Sequence, residues 1–212
     1  MKRLLSILLF IPILGFSQYT AIPDQNFEQA LIDLGHDDVI DGQVLTSNIS
    51  SLTEFNVSDK NISDLTGIED FTALTQLYCN FNQLTSLDVS QNTALTTLRC
   101  SDNQLTTLDV SNNTGLSYLE CGFNSLNSLD VSQNTALTQL LCNFNQLTSL
   151  DVSQNTGLSY LECGFNSLNS LDVSQNTALT ELYCNDNQLT ILDVSQNTAL
   201  TQLLCNYNQL TS

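Results

Sequence analysis

A unit of 21 residues recurs along this chain and constrains its fold more than any other feature. Full units begin at Leu74, Leu95, Leu116, Leu137, Leu158 and Leu179, and a shorter one runs from Leu200 to Ser212. A looser unit of 22 residues, 52–73, precedes them. Because a fixed internal period of this length is typical of repeat architectures, the chain is predicted to form a solenoid.

Each unit contains two short segments in which apolar and polar residues alternate. In the first full unit Leu77 and Cys79 flank Tyr78, and Leu87 and Val89 flank an aspartate. This alternation predicts half-buried strands, so each unit should form one coil with two extended sides. One coil cannot bury its apolar edge alone, whereas stacking at about 4.8 Å per coil joins equivalent leucines into one row. We therefore expect a right-handed, mostly β solenoid with short parallel strands.

The unit LTQLYCNFNQLTSLDVSQNTA resembles the leucine-rich repeat LxxLxLxxNxL, with Cys79 in a leucine place and Asn82 as the asparagine. A second half-motif that begins at Leu87 is similar to the nested bacterial type. Residues 22–73 resemble the helical cap and first repeat of internalin-like surface proteins. The resemblance implies a leucine-rich repeat solenoid with a small helical N-terminal cap, and it implies adhesion or partner contact, not turnover.

The first 17 residues differ in character from the rest of the chain. Lys2 and Arg3 precede an apolar run from Leu4 to Phe16, which is typical of a signal peptide, here cut before Gln18. No later stretch approaches the roughly 20 consecutive apolar residues that a transmembrane helix needs. We therefore expect residues 1–17 to be a signal peptide and the mature protein to be secreted or exposed on the cell surface, with no membrane span.

Residues 18–51 are predicted to form the N-terminal cap, and residues 52–212 the repeats. Within the cap, Asp24 stands at a helix start and Gly35 at its end, while Phe27, Leu31 and Leu34 share one face. This pattern predicts a single short amphipathic helix.

Acidic residues far outnumber basic ones, with 22 against four and a formal net charge of −18. Such a surface repels the phosphates of nucleic acids and anionic lipids. Nucleic acid is therefore not expected as a partner, whereas basic or neutral protein surfaces and cations remain as candidates.

Two rows of asparagine are predicted to support the turns of the coils. An amide side chain donates and accepts hydrogen bonds at once, and it can satisfy backbone groups that no strand pairs. The first row is Asn82, Asn103, Asn124, Asn145, Asn166, Asn187 and Asn208. The second row is Asn92, Asn113, Asn134, Asn155, Asn176 and Asn197.

One cysteine occurs in each unit from Leu74 onward, in a place where the repeat points a side chain inward. Free cysteine is among the most buried residue types, so a column of small core thiols is the favoured interpretation. Disulfides between coils are the alternative, although side chains in parallel register lie alongside one another. The cysteines are Cys79, Cys100, Cys121, Cys142, Cys163, Cys184 and Cys205.

The chain offers little for catalysis and little for metal binding. His36 is the only histidine, and no GxSxG, HExxH or phosphate-binding loop occurs, so we expect no enzyme activity and no cofactor.

Two acidic features leave the binding of Ca²⁺ as an open alternative. One is an outward row of six aspartates whose mutual repulsion is offset by Ser or Thr hydrogen bonds or by bound Ca²⁺. The other is the loop DLGHDDVIDG, which lacks two of the acids of a calcium loop. The six are Asp88, Asp109, Asp130, Asp151, Asp172 and Asp193.

The units differ from one another mainly at two outward places, and large aromatic side chains recur there. Exposed aromatic and leucine side chains beside acids are typical of recognition surfaces. The alternative is drift among recent duplicates, with the phenylalanines packed against the coil edge. The predicted binding residues are Tyr78, Phe81, Arg99, Glu120, Phe123, Leu141, Phe144, Glu162, Phe165, Tyr183, Leu204 and Tyr207. At the second of these places, Asp102 and Asp186 stand where the other units from Leu74 onward have an aromatic residue.

We therefore predict a leucine-rich repeat module that holds a protein, or as an alternative a glycan, on its strand face. A passive stalk or spacer is the competing function, since residues 116–157 and 158–199 differ at only five positions. Ice binding through the Thr row that begins at Thr75 is a third class. Because the chain stops inside a unit, we also expect the natural protein to continue beyond Ser212.

Overall fold

The computed structural model describes residues 18–211, and the predicted signal peptide lies outside them. A parallel sheet of eight three-residue strands, arranged in the order of the sequence, forms the spine of the molecule. The strands are β3 Glu54–Asn56, β4 Gln76–Tyr78, β5 Thr97–Arg99, β6 Tyr118–Glu120, β7 Gln139–Leu141, β8 Tyr160–Glu162, β9 Glu181–Tyr183 and β10 Gln202–Leu204. The predicted solenoid of short parallel strands is confirmed.

The cap contains more structure than the sequence predicted. A two-stranded antiparallel sheet pairs β1 Tyr19–Ala21 with β2 Gln43–Leu45, and α1 Gln25–Asp33 lies between them in the chain. A second helix, α2 Thr46–Ile49, follows β2, and a 3₁₀ turn spans Ile68–Asp70. The prediction of one short helix was therefore incomplete, because four residues carry too little periodic pattern to reveal α2.

Helix α1 has the boundaries that its sequence indicates. Asp24 Oδ1 accepts hydrogen bonds from the backbone N–H groups of Asn26 and Phe27, which is the usual role of an N-cap aspartate. Gly35 follows with a φ of 79°, a left-handed conformation that glycine adopts without steric cost. Leu34, however, is 47% exposed, so its predicted place on the buried face was wrong. The helix ends one residue before it, which turns its side chain away from the core.

The cap is tied to the first coil by polar contacts and by an aromatic cluster. Asp24 Oδ2 accepts hydrogen bonds from Ser63 N and Ser63 Oγ at 2.8 and 2.7 Å. The rings of Phe27, Phe55 and Phe71 pack together, with 4.7 Å between the centroids of Phe55 and Phe71. This cluster covers the apolar end of the leucine column, which would otherwise face solvent.

The core consists of columns of identical side chains that run from coil to coil. The inward strand leucines from Leu77 to Leu182 are fully buried, as are the six cysteines from Cys79 to Cys184. All seven cysteines are free thiols, and Cys205 in the last coil is half-buried. Burial raises the pKa of the Cys79 and Cys121 thiols to about 12, so they stay protonated at neutral pH. The cysteines therefore act as core side chains.

The first asparagine row uses both ends of the amide, as predicted. Asn103 Nδ2 donates to the carbonyl oxygens of Cys79 and Cys100, and Asn103 Oδ1 accepts from Leu84 N of the preceding coil at 3.0 Å. The second row differs from the prediction. Asn113 Nδ2 donates to Val89 O and Asn92 O, but the buried Oδ1 atoms of this row have no hydrogen-bond partner. The second row therefore supports its turns through donation alone.

The second half-motif does not form a second sheet. A single parallel bridge joins Asp88 and Asp109, and the other coils have no such pairing among the described residues. Asp88 Oδ1 accepts a hydrogen bond from Ser90 N at 2.9 Å, and the same contact recurs in every later full coil. This local turn competes with strand pairing, so the prediction of two extended sides holds for one side only.

Candidate functional site

The outward side of the parallel sheet carries two rows of side chains, one from each end residue of strands β4 to β10. The first outward row is Gln76, Thr97, Tyr118, Gln139, Tyr160, Glu181 and Gln202. The strand row is Tyr78, Arg99, Glu120, Leu141, Glu162, Tyr183 and Leu204. Parallel register places each residue of a row directly beside its counterpart in the next coil. The seven strand-row residues predicted from the sequence therefore lie together on one face.

Arg99 occupies the centre of a polar and aromatic network on this face. Its guanidinium lies 4.8 Å from the ring centroid of Tyr118 and 5.5 Å from that of Tyr78, which is within cation–π range. Arg99 Nε is 3.5 Å from Glu120 Oε2, close enough for ionic attraction but longer than a good hydrogen bond. The cation is thus held between two rings and one carboxylate.

Glu120 connects this network to its neighbours. Tyr118 Oη donates to Glu120 Oε2 at 3.1 Å, and Ser101 Oγ donates to Glu120 Oε1 at 3.0 Å. Burial and the nearby Glu120 charge raise the pKa of Tyr118 to about 12, while Arg99 acts in the opposite direction. The phenol therefore remains a hydrogen-bond donor at neutral pH, and the orientation of the glutamate is fixed before any ligand arrives.

A related arrangement recurs two coils later without a cation. Tyr160 Oη donates to Glu162 Oε2 at 3.1 Å, and the Tyr160 and Tyr183 rings lie 5.5 Å apart. Tyr183 Oη is 2.6 Å from both Glu181 Oε2 and Gln202 Oε1, and it donates its one proton to one of them. Burial and the Glu162 charge raise the pKa of Tyr160, so this phenol also stays protonated.

Sequence reasoning missed the first outward row. Tyr118 supplies one ring of the Arg99 network, and Tyr160 packs against Tyr183. The prediction nevertheless followed only the second outward place of each strand. The alternation itself contained the signal, because the residue two before each strand-row position must share its face.

A third row lies in the turn that follows each strand. The turn row is Phe81, Asp102, Phe123, Phe144, Phe165, Asp186 and Tyr207, and every member has a φ between 49° and 56°. The Phe123, Phe144 and Phe165 rings stack with centroid separations of 4.3 and 4.0 Å. These three residues, named here the phenylalanine stack, remain 38–46% exposed. The alternative prediction that the phenylalanines are packed at the coil edge therefore holds only in part. The three rings pack against one another, but each remains partly exposed to solvent.

The outward aspartates are stabilised by their own turns. Hydrogen bonds from Ser132 N and the Ser132 hydroxyl lower the pKa of Asp130, although Asp109 and Asp151 act to raise it. The pKa values of Asp88 and Asp151 are lowered by equivalent serine contacts. The serine contacts therefore affect these pKa values more than the neighbouring aspartates do.

The remaining sequence candidates have structural partners. In the acidic cap loop, Asp41 N and Gly42 N donate to the buried Glu28 carboxylate at 2.8 and 2.6 Å. In the hydroxyl row, Thr96 Oγ1 donates to Thr75 O at 3.1 Å, and the same bond recurs in the neighbouring coils. Within residues 18–211, no group of three His, Cys, Asp or Glu side chains is arranged to hold a metal ion. No helix in that range is long and apolar enough to cross a membrane.

Comparison with solved structures assigns the fold to a known class. The functional domain of internalin J from Listeria monocytogenes, described as including a cysteine ladder, is 39% identical with a TM-score of 0.74. That match covers 94% of this chain and 50% of the internalin J domain. This chain has an internalin-like leucine-rich repeat fold. Internalin C2 of the same organism has a TM-score of 0.85 over 93% of this chain and 92% of its own, and at 20% identity it supports the fold alone.

The sequence relationship to internalin J is local. Among curated proteins, internalin J of Listeria monocytogenes is 46% identical over 73 residues, which is 33% of this chain and 8% of internalin J. No family model matches the chain. This internalin-like chain thus spans about half of the solved internalin J domain and a small fraction of the whole protein.

Proposed function

We propose that this chain is a secreted or cell-surface module that recognises a protein on the face formed by the first outward row, the strand row and the turn row. The observation that carries the proposal is the location of the differences between the duplicated blocks 116–157 and 158–199. Three of the five differing pairs, 139/181, 141/183 and 144/186, fall on this face. Sequence change that concentrates on one face of an otherwise repeated scaffold favours a selected surface over a spacer.

The chemistry of the face suits protein recognition. Tyrosine and arginine are enriched among the residues that contribute most to protein binding. Here Tyr118, Arg99 and Glu120 hold one another in place, which reduces the side-chain entropy lost when a ligand binds. The internalin-like fold supports the same role, and the apolar segment in residues 1–17 supports export.

We propose further that the chain has no catalytic activity. His36 lies in the cap, and the thiols from Cys79 to Cys184 are buried, so neither residue type can act as a base or nucleophile on the exposed face. Glycan binding is the alternative ligand class, and it would depend on tyrosine rings such as Tyr118 and Tyr183.

A binding screen with matched variants tests the proposal. The purified chain is screened against a panel of surface proteins and glycans beside a face variant in which Tyr78, Arg99, Tyr118, Tyr160 and Tyr183 become alanine. The control variant replaces five exposed glutamines on the opposite side of the coils, namely Gln91, Gln133, Gln154, Gln175 and Gln196.

We expect a protein ligand that binds the parent and the glutamine variant but not the face variant, provided that all three unfold at similar temperatures. Retained binding by the face variant would contradict the placement of the site. No ligand for any of the three would favour the passive stalk.

A further inference from the structure

The phenylalanine stack is not required by the fold. The turn positions of Phe123, Phe144 and Phe165 have φ values of 51°, 49° and 54°. Asp59, Asp102 and Asp186 occupy the equivalent turns at 57°, 53° and 53°. Aspartate and asparagine tolerate this left-handed conformation better than bulky residues do. Phenylalanine at three successive turns, nearly half exposed, is therefore unexplained by the backbone.

Between its two end faces, the stack exposes ring edges and not ring faces. The interplanar angles are 15° between Phe123 and Phe144 and 9° between Phe144 and Phe165, so each ring covers the face of the next. A sugar that stacks on an aromatic residue needs an open face. Aliphatic side chains, by contrast, can pack along the edge strip that the three rings form, so a protein segment fits this surface better than a glycan.

Carboxylates lie at both ends of the strip. Asp102 precedes Phe123 by one coil, and Asp186 follows Phe165 by one coil, so four coil steps separate the two acids. The basic residues in the described chain, Lys60 and Arg99, are already close to Asp33 and Glu120 respectively. The strip is thus apolar at its centre and anionic at its ends, and a net charge of −18 disfavours a second copy of the chain as the partner.

We propose that the phenylalanine stack, with Asp102 and Asp186, binds an extended protein segment that has apolar side chains between two lysine or arginine residues. The inference rests on the proposed recognition function and defines its specificity. Four coil steps of about 4.8 Å place the acids about 19 Å apart. Since an extended chain advances about 3.3 Å per residue, the two cationic residues lie about six positions apart.

A synthetic peptide provides a direct probe of this chemistry. The probe is a fluorescein-labelled heptapeptide, Lys-Ser-Leu-Ser-Leu-Ser-Lys, with blocked termini. Alternation places both leucines and both lysines on one side of the extended chain. One control peptide carries glutamate in place of both lysines, and a second carries serine in place of both leucines. Fluorescence anisotropy measures binding to the purified full chain.

Asparagine substitution removes the rings and keeps the turns. In the triple variant Phe123→Asn, Phe144→Asn and Phe165→Asn, each new residue suits the left-handed conformation, so the variant should fold and unfold as the parent does. We expect its peptide affinity to fall about tenfold or more, as for the loss of binding hot spots. The variant Asp102→Asn, Asp186→Asn should weaken binding and reduce its dependence on salt.

Several outcomes would overturn the inference. They are the absence of binding by the parent at millimolar peptide, equal affinity for the glutamate-ended peptide, and undiminished affinity in the triple asparagine variant. A protein ligand that the face variant loses and the triple asparagine variant keeps would also overturn it, while leaving the proposed function intact. Loss of that ligand in both variants, together with charge-dependent peptide binding, supports both.

Discussion

At the turn after each strand, one backbone conformation is shared by residues as different as aspartate and phenylalanine. A left-handed φ costs an ordinary L-residue roughly 1 to 2 kcal/mol. Ring stacking beyond simple burial contributes about 0.5 to 1.5 kcal/mol per pair. Phe144 contacts a ring on each side, at 4.3 and 4.0 Å, so its contacts are large enough to offset its conformational cost. Among residues 18–211, Phe81 packs against no other aromatic ring, so it lacks this compensation.

Asn113 provides a test of the second asparagine row. Its fully buried Nδ2 donates to Val89 O and Asn92 O at 3.1 and 2.9 Å. Asn113→Ala would leave both carbonyl oxygens without that donor and open a small cavity, so we expect a loss of about 2 to 4 kcal/mol in unfolding free energy. Urea denaturation measures the change.

The neighbouring exposed residue Asn112 is the control, because its substitution by alanine should change stability by less than about 0.5 kcal/mol. Equal effects at the two positions would show that the buried amide contributes no more than a surface residue.

Two glycines should respond in opposite ways to the same change. A Cβ at Gly122 would collide with Asn143 Oδ1 and lie 3.0 Å from Asn143 O, whereas a Cβ at Gly115 meets only Leu95 O at 3.7 Å. We expect Gly122→Ala to destabilise the fold by about 1 to 3 kcal/mol through overpacking. Gly115→Ala should be neutral or stabilising by up to about 1 kcal/mol. Thermal unfolding of both variants checks the difference in sign, and a harmless Gly122→Ala would mean that Asn143 moves aside freely.

At the scale of the coil, the sequence correctly predicted a strand on one side of each coil and wrongly predicted a second strand on the other side. The alternation around Leu77 and Cys79 predicts a strand correctly, because Tyr78 pairs in register with the next coil. The same alternation around Leu87 and Val89 fails to form a strand, since the Asp88 carboxylate accepts Ser90 N and bends the chain locally. A two-residue period records which side chains are buried, and it does not record whether the backbone between them is paired.

The candidate site was predictable in its rows but not in its contacts. Parallel register followed from the fixed period, so the alignment of Tyr78 with Arg99 was foreseeable. The position of the guanidinium between two rings and the stacking of Phe144 depend on side-chain rotamers. Sequence periodicity contains no information about those torsions. The strands of the cap were missed because each is three residues long and occurs once, so no repetition reinforces its alternation.

The aspartate turns make the coil sensitive to acid. Hydrogen bonds from serine N–H and hydroxyl groups lower the pKa of Asp130 and Asp151 below the usual 3.8. A carboxyl whose pKa is lower in the folded state stabilises the fold when ionised, and this contribution is lost as the pH falls through that lowered pKa. We therefore expect the melting temperature to drop as the pH falls below about 4.

The variant Asp130→Asn, Asp151→Asn retains an acceptor for each serine but cannot titrate. Its melting temperature should fall less between about pH 5 and pH 2 than that of the parent, as followed by circular dichroism. An identical acid profile for the two proteins would mean that these turns do not contribute to the pH dependence.

At the scale of the whole molecule, net charge and the aspartate row predict a response to ions. With a net charge of −18, added salt should raise the melting temperature by screening repulsion among the acids. Calcium chloride and sodium chloride at equal ionic strength distinguish screening from specific binding. We expect equal shifts if serine hydrogen bonds alone offset the repulsion along the row. A larger shift with calcium, reversed by a chelator, would support Ca²⁺ binding there.

The cysteine column has a mechanical consequence. Because the seven thiols are free, neighbouring coils in the described chain are joined by hydrogen bonds and packing without a covalent cross-link. A coil peeled from the stack by tension would release its 21 residues at about 3.5 Å each, or roughly 70 Å of contour length. The molecule should therefore extend in equal increments under force, lengthening one coil at a time while the coils still folded keep their faces unchanged.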